Sequence, residues 1–438
     1  MNISKLCRAS VLLALLSSHA TAGILTVTDL GDAGSGVCGA ICTLRDAIAS
    51  AAPNDTIVFA STLTYPAAIT LAGQELLVYK NLQILGPGAG SLAIDGNQQS
   101  RILEIAANAT VSVSGVAMNN GTVSGANGGF GSSAPNGGDA YGGGVLVNAG
   151  SSLQLIACRL NGNQALGEIG GSTSGTTRQG KGGNAHGGAI YSAGTLSMKD
   201  CSVAGSFAYG GPAGGPPFGS SNGSGGSATG GAIEATGLTE ITDSQFLSNY
   251  AQGSPGRSAI GGAVGGDGGS ALGGALAFSG FSVLSFVSSL GGSVLAGSAG
   301  QGGGGGASGT AAGADVYSTA TVLSRNTVLT STSGAKTCSV ATLVAQGANF
   351  DADSSCPNFT LHGDAKWQVV TSGDYTFAFP LWGSPLIDTA ADCKDAFGAT
   401  LTTDVRGGVR PLDGNADGVA ACDLGAVESD ELFANGFE

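Results

Sequence analysis

The sequence predicts an all-β chain wound as a parallel β-helix, and three observations predict it. Gly187-Gly188-Ala189-Ile190, Gly230-Gly231-Ala232-Ile233 and Gly273-Gly274-Ala275-Leu276 recur every 43 residues, and Gly142-Gly143-Gly144-Val145 precedes them by 45. Each start leads into a short apolar run, a turn of small residues and a second alternating run, such as Thr239 to Phe246. From Ile69 to Val113 strands of three to five residues follow one another without hairpin signals between them, which fits parallel coils better than a sandwich. A fixed period of this size built from strands is a solenoid, in which each unit buries its apolar face only against its neighbours.

Taken in order, residues 1–22 read as a secretory signal peptide. Lys5 and Arg8 precede the apolar run Val11 to Leu16, and Ala20-Thr21-Ala22 sets cleavage between Ala22 and Gly23. The apolar run is far shorter than the roughly 20 residues a spanning helix needs. Residues 23–60 read as a cap. Ile24 to Thr28 alternates as a strand, Thr43 is placed to N-cap a short helix from Leu44 to Ala49, and Thr56 to Phe59 is the next strand. A solenoid end exposes apolar stacking surface and unpaired backbone groups, and an amphipathic helix laid across it covers both.

Residues 61–335 are assigned to the β-helix. A coil of this kind needs roughly 20–25 residues, so each 43-residue unit is one coil plus a long excursion, as at Gly210–Gly231 and Gly291–Gly306. Glycine, at 79 of 438 residues, gives those excursions either order or plain flexibility. Residues 336–429 lose the repeat and form the small C-terminal domain, and 430–438 are a tail.

Cysteine use fixes the compartment. The mature chain holds Cys38, Cys42, Cys158, Cys201, Cys338, Cys356, Cys393 and Cys422, and an even count in an exported chain favours disulfides. Paired C-x-x-C spacings and clustered histidines are missing, which rejects zinc. Cys338 with Cys356 and Cys393 with Cys422 each close a local loop. Once a two-residue difference in turn length is allowed for, Cys158 and Cys201 take the same place on successive coils. Coils stack about 4.8 Å apart, within the roughly 4.4–6.8 Å Cα separation of a disulfide. The pair is therefore either bridged between coils or stacked as two buried thiols, with the bridge favoured.

Charge excludes several partners. The formal charge of −14 becomes −16 once Lys5 and Arg8 leave with the signal. Such a chain does not bind nucleic acid or anionic lipid through its overall field. No later segment is long and apolar enough to cross a membrane as a helix.

Three pieces carry a resemblance. Cys42-Thr43-Leu44-Arg45-Asp46-Ala47, followed by Asn54 to Phe59, resembles the CSLREA N-terminal domain of bacterial surface proteins. The GGAI starts, with Phe246-Leu247-Ser248-Asn249 as an F-x-x-N partner, resemble the repeats of polymorphic outer membrane proteins. Ser384 to Asp388, Asp404-Val405-Arg406-Gly407 with Arg410-Pro411, and Cys422 to Glu428 resemble the choice-of-anchor Q domain. The tail Leu432 to Glu438 is similar to one found on exported proteins of some Gram-negative bacteria. The resemblance implies a right-handed parallel β-helix, displayed extracellularly or at the outer-membrane surface, with no established chemistry. The membrane-inserting barrel of autotransporters with that repeat has no counterpart in this sequence.

Chemistry is sparse. A hydrolase on this fold needs converging carboxylates, and a lyase needs acids holding calcium and a basic residue to take a proton. The candidate acids in the repeats are Asp200, Glu234, Glu240 and Asp243. The basic residues are Arg159, Arg178, Lys181, Lys199 and Arg257. Asp200 adjoins the interior Cys201, so alternation turns it outward, and Asp200 and Asp243 read as solvated surface acids. His186 reads as a surface histidine, and Asp404 and Arg406 as a structural pair. Asp413-Gly414-Asn415-Ala416-Asp417-Gly418 has the spacing of a calcium loop, but position 12 is Leu424, with Asp423 adjacent. Calcium held by Asp413, Asn415, Asp417 and Asp423 and a polar turn are both open. The expectation is a non-enzymatic surface or adhesin-like protein without a required cofactor, its unidentified partners being glycans or cell-surface proteins. A carbohydrate-active enzyme or glycan-binding module is the alternative.

Overall fold

The computed structural model describes residues 22–130, 134–172, 179–215, 223–259, 262–372 and 375–429. One coil can be followed through the unit starting at Gly187. Ile190–Ser192 lies on a first face, Thr195–Lys199 on a second, Ser202–Ala204 on a third and Phe207–Tyr209 on a fourth. Each pairs in parallel with its equivalent 43 residues on: Ile190 with Ile233, Leu196 with Thr239, Val203 with Phe246, Ala208 with Ala251. The chain is a parallel β-helix. The first two faces belong to one 16-stranded sheet, because Val316–Arg325 runs unbroken through both. Among the described residues the third face has 10 strands, the fourth has 5, and a further 5-stranded ladder of two-residue strands such as Ala185–His186 marks the corner before the first face.

Alternation decides what enters the coil. Ile190, Leu196, Met198 and Val203 are fully or almost fully buried and come from three faces of one coil. Where the fourth face meets the corner ladder the coil is narrow, and it is filled by Ala165, Ala185, Ala208, Ala228, Ala251 and Ala271. The F-x-x-N pattern has a physical reason here. Phe246 fills the core. Buried Asn249 donates from Nδ2 to Val203 O (3.0 Å) and accepts from Ser206 N (2.9 Å), lacing its coil to the one before. Asn163 does the same to Met118 O (3.0 Å) and Gly121 N (2.8 Å).

The described parts of the Gly-rich excursions are ordered. Gly180/Gly183, Gly211/Gly214, Gly223/Gly226, Gly253/Gly256 and Gly266/Gly269 recur at intervals of three, the period of an extended three-residue helix. Neighbouring segments are hydrogen-bonded through backbone: Gly183 N to Glu168 O (2.8 Å), Gly211 N to Gly183 O (2.7 Å), Gly226 N to Gly211 O (2.8 Å). The spacing admits no side chain, since a Cβ on Gly183 would stand 1.8 Å from Gly138 O.

At the N-terminus Ile24–Val27 and Asp55–Phe59 extend the second face, the latter pairing with Leu82–Leu85. The helix Leu44–Ser50 is closed by a capping box between Thr43 and Asp46, and Leu44, Ala47 and Ile48 are buried in the solenoid core. At the other end the coil continues past residue 335. Cys338–Gln346 pairs in parallel with Val316–Arg325, and Phe350–Asp351 with Val328 and Leu329. An antiparallel hairpin, Trp367–Ser372 with Tyr375–Pro380, follows. The remaining chain turns back over the third face, so that Leu386, Leu401, Cys422 and Leu424 share a core with Phe286, Val328 and Phe350.

Candidate groove beside the C-terminal segment

The site begins with a corner. Between the second and third faces each coil turns through one left-handed residue, and these stack as Gly115, Ala157, Asp200, Asp243, Phe286 and Asn326 (φ 63°, 50°, 55°, 47°, 52° and 52°). Asp and Asn tolerate that conformation better than other side-bearing residues, so two acids one coil apart are a local solution to the turn. The C-terminal segment then lies over the later part of this column. Gln245 donates to Thr376 O (2.7 Å) and accepts from Ala378 N (3.3 Å), and Ser288 Oγ accepts from Ala426 N (2.9 Å).

Under this cover sits a charge cluster. Arg410 and Asp243 are both fully buried in their side chains and pair at 3.2 Å, while Arg410 Nη1 lies 3.3 Å from Glu428 Oε2. The guanidinium also stacks 4.7 Å from the Phe286 ring centroid. Asp404 accepts from the backbone N–H of Arg406 (2.9 Å), Gly408 (2.8 Å) and Glu428 (3.1 Å), and pairs with the Arg406 side chain. Asp243 is the side-chain hydrogen-bond partner of Asp200 on the preceding coil. Asp200 Oδ1 and Asp243 Oδ2 have no other partner among the described residues, and one proton between them satisfies both. Burial raises Asp243 well above the ordinary carboxylate range and raises Asp200 as well. Burial favours the protonated form of Asp243, whose Oδ1 accepts from Arg410.

Asp200 is the member of this cluster that reaches open space. It lines a groove of about 480 Å³ together with Gly88–Gly90, Cys158, Arg159, Phe377 and Thr403–Gly407. Arg159 stands on the third face, turned outward because its neighbour Leu160 is fully buried. Arg406 faces the same groove from the C-terminal segment, its guanidinium 5.4 and 5.2 Å from the rings of Phe377 and Phe379. A smaller groove of about 280 Å³ continues from Arg159 along the third face over Ser91, Asn119 and Asn161. The arrangement brings Arg159, Arg406 already paired with Asp404, the Asp200–Asp243 carboxyl pair and a polar floor into one groove.

The sequence-derived residues fall as follows. Disulfides join Cys38 to Cys42, Cys338 to Cys356 and Cys393 to Cys422. The favoured bridge between Cys158 and Cys201 is corrected: both are free and buried. Each sulfur faces carbonyl oxygens, Cys158 that of Ile156 (3.3 Å) and Cys201 that of Lys199 (3.2 Å). Asp243 is not a solvated acid but fully buried, and Asp200 is half-buried at the edge of the groove. Alternation does turn them outward, but the C-terminal segment covers the outside. Asp413, Asn415 and Asp417 spend their oxygens on their own loop, accepting from Asp417 N, Gly418 N and Val419 N (2.8–3.1 Å). Asp423 turns away to Ser429 N and Oγ (both 2.6 Å). Among the described residues no group of three His, Cys, Asp or Glu is placed to hold a metal ion. His186 and Glu234 meet at 2.8 Å, with His186 stacked 4.7 Å from Tyr141. Ala22 and Gly23 are described, Gly23 N donating to Asp55 Oδ1 (2.6 Å). The rest of the signal segment, Arg178 and the tail lie outside the described residues. Sequence reasoning missed Arg410 as the partner of Asp243 and Glu428 as the second partner of Arg410, because nothing local marks residues that meet across so much chain.

No family model and no curated protein matches the chain. Among solved structures, pectate lyase Pel9A is similar at 13% identity and a TM-score of 0.34, over 94% of this chain and 97% of its own. The PL6 family alginate lyase AlyGC is similar at 9% identity and a TM-score of 0.22, over 81% of this chain and 55% of its own. Among the described residues no helix is long and apolar enough to cross a membrane. Both similar structures are lyases by name, and the expectation of a non-enzymatic chain is withdrawn.

Proposed function

We propose that the chain is an extracellular, carbohydrate-active β-helix protein that takes an acidic glycan into the groove between its third face and its C-terminal segment. One observation carries the reading: Arg159, Arg406 and the proton-sharing Asp200 converge on the same groove of about 480 Å³. In a chain with only 16 Lys and Arg against 30 Asp and Glu, Arg159 and the Asp404-paired Arg406 in one groove favour a negatively charged ligand despite the overall field. A planar sugar carboxylate suits a guanidinium fork. Asp200, coupled to Asp243, supplies or accepts the proton at a glycosidic oxygen or a sugar C–H. The smaller groove over Asn119 and Asn161 extends the binding track along the solenoid. The disulfides support an extracellular location, and the terminal motifs support display at a bacterial surface.

The test is a panel of uronate-containing and neutral polysaccharides, assayed for binding, new reducing ends and unsaturated products. Binding or turnover confined to acidic polymers is expected, weakened at least tenfold in Arg159→Ala, with turnover lost in Asp200→Asn. Equal behaviour toward neutral polymers, or no interaction with any, overturns the reading.

A further inference from the structure

We propose that Arg257 and Tyr209 form a second site for an acidic sugar, set in a groove where the fourth face runs into the Gly-rich excursions. Position is the first support. The outgoing arm of each excursion carries glycine at one level, Gly128, Gly171, Gly214 and Gly300, and Arg257 takes the remaining place in that 43-residue series. The backbone holds the same register: Gly214 N donates to Gly180 O (3.0 Å) and, one coil on, Arg257 N donates to Gly223 O (3.2 Å). A Cβ on Gly171, Gly214 or Gly300 would stand 2.8, 2.0 or 2.0 Å from the carbonyl oxygen of Gly128, Gly171 or Arg257 respectively. Packing therefore works against a side chain at this level, and the one exception in the series carries a guanidinium.

The surroundings suit an anion with an apolar face. Arg257 lines a groove of about 400 Å³ with Tyr209, Pro212, Pro255 and Ser258. Its Nη1 donates to Ala213 O (3.2 Å) on the preceding coil, and its other guanidinium N–H groups have no protein acceptor among the described residues. Arg45, Arg101, Arg325, Arg406 and Arg410 are by contrast each paired with a carboxylate. Tyr209 is turned outward because its neighbour Ala208 is fully buried. Leu166 and Gln252 flank it on the adjacent coils, so its ring is free of the stacking that joins Phe207 to Tyr250 at 5.0 Å. Pro212 and Pro255 are exposed beside it. A sugar carboxylate on the guanidinium fork, with the C–H face of its ring against Tyr209 and the prolines, matches this lining. The third and fourth faces separate the groove from Asp200. The ligand class rests on the reading of the first groove, whereas the site stands on its own geometry.

The experiment titrates the folded full-length protein with a short oligouronate, and with its carboxyl-reduced counterpart, by isothermal calorimetry. Two sites for the oligouronate are expected, and Arg159→Ala should remove one of them. Arg257→Gln keeps the side-chain stem, and Arg257→Gly restores the glycine of the series. Each should weaken the other site by about tenfold or more, and Tyr209→Ser should weaken that same site. A single site lost only in Arg159→Ala overturns this proposal and leaves the first reading standing. A single site lost only in the Arg257 variants upholds it and overturns the first. Both sites retained in Arg257→Gln and Arg257→Gly, equal binding of the carboxyl-reduced sugar at the second site, or no binding at all overturns the proposal.

Discussion

Arg410 and Asp243 meet across 167 residues of sequence, Nη2 to Oδ1 at 3.2 Å, with both side chains fully buried. The pair fastens the returning C-terminal segment to the solenoid corner, with Glu428 on the guanidinium's other side at 3.3 Å. Removing Arg410 leaves buried carboxyl oxygens of Asp243 and Glu428 without their donor, at about 1–3 kcal/mol for each orphaned group. Arg410→Met should lose about 3 kcal/mol in denaturant unfolding and make the segment after Pro380 the first site of limited proteolysis. A variant as stable and as protease-resistant as the wild type would show that the segment is held by its apolar core alone.

The same cluster sets a pH dependence. Burial pushes Glu428 up to about 7 and Asp423 up to about 6, and Asp243 well above its ordinary range. The folded state therefore holds protons that the unfolded chain releases near its ordinary carboxylate values. This stabilisation is complete below those values and is lost as pH rises through about 6 to 7. Asp353 and Asp392 are held low by their hydrogen bonds, so their opposite contribution falls below this window. Thermal unfolding should give a higher Tm near pH 5 than near pH 8, by several degrees for a change of roughly 2 kcal/mol. A Tm that rises across that range would remove the shared-proton picture.

How far sequence reasoning reaches depends on whether the interaction is local or repeated. The coil is legible because Ile190, Ile233 and Leu276 stand at equal spacing and pair in that register. The cap is legible because Thr43 and Asp46 bond three residues apart. The groove is not. Alternation turns Asp200 outward, but it carries no information that Thr403–Gly407 comes back to face it. Nor does composition distinguish flexible glycine from packed glycine. The three-residue interval between Gly180 and Gly183 does, and it becomes meaningful once the carbonyls beside each are seen.

Packed glycine gives a sharp contrast. A Cβ at Gly183 would stand 1.8 Å from Gly138 O and 2.5 Å from its carbon, whereas at Gly305 the nearest heavy atom, Gly300 O, is 4.0 Å away. Backbone cannot yield as a flexible side chain can. Gly183→Ala should therefore cost more than about 2 kcal/mol, while Gly305→Ala should be neutral within about 0.5 kcal/mol or slightly stabilising. Equal effects in chemical denaturation would mean that the excursions are not packed in solution.

The asparagine that closes the F-x-x-N pattern allows a similar comparison. Asn249 is 1% exposed and serves two buried backbone groups of the preceding coil, Val203 O and Ser206 N. Asn249→Ala leaves both without a partner in the coil interior, and each orphaned group costs about 1–3 kcal/mol, so a loss of roughly 3 kcal/mol is expected. Asn161 also carries an inter-coil bond, from Nδ2 to Asn119 Oδ1 (3.1 Å), but it is half-buried on the groove floor where water can replace its partner. Asn161→Ala should cost about 0.5 kcal/mol while weakening acidic-glycan binding. If the two substitutions cost the same, the buried asparagine is a packing residue, and its lacing of one coil to the next does not stabilise the solenoid.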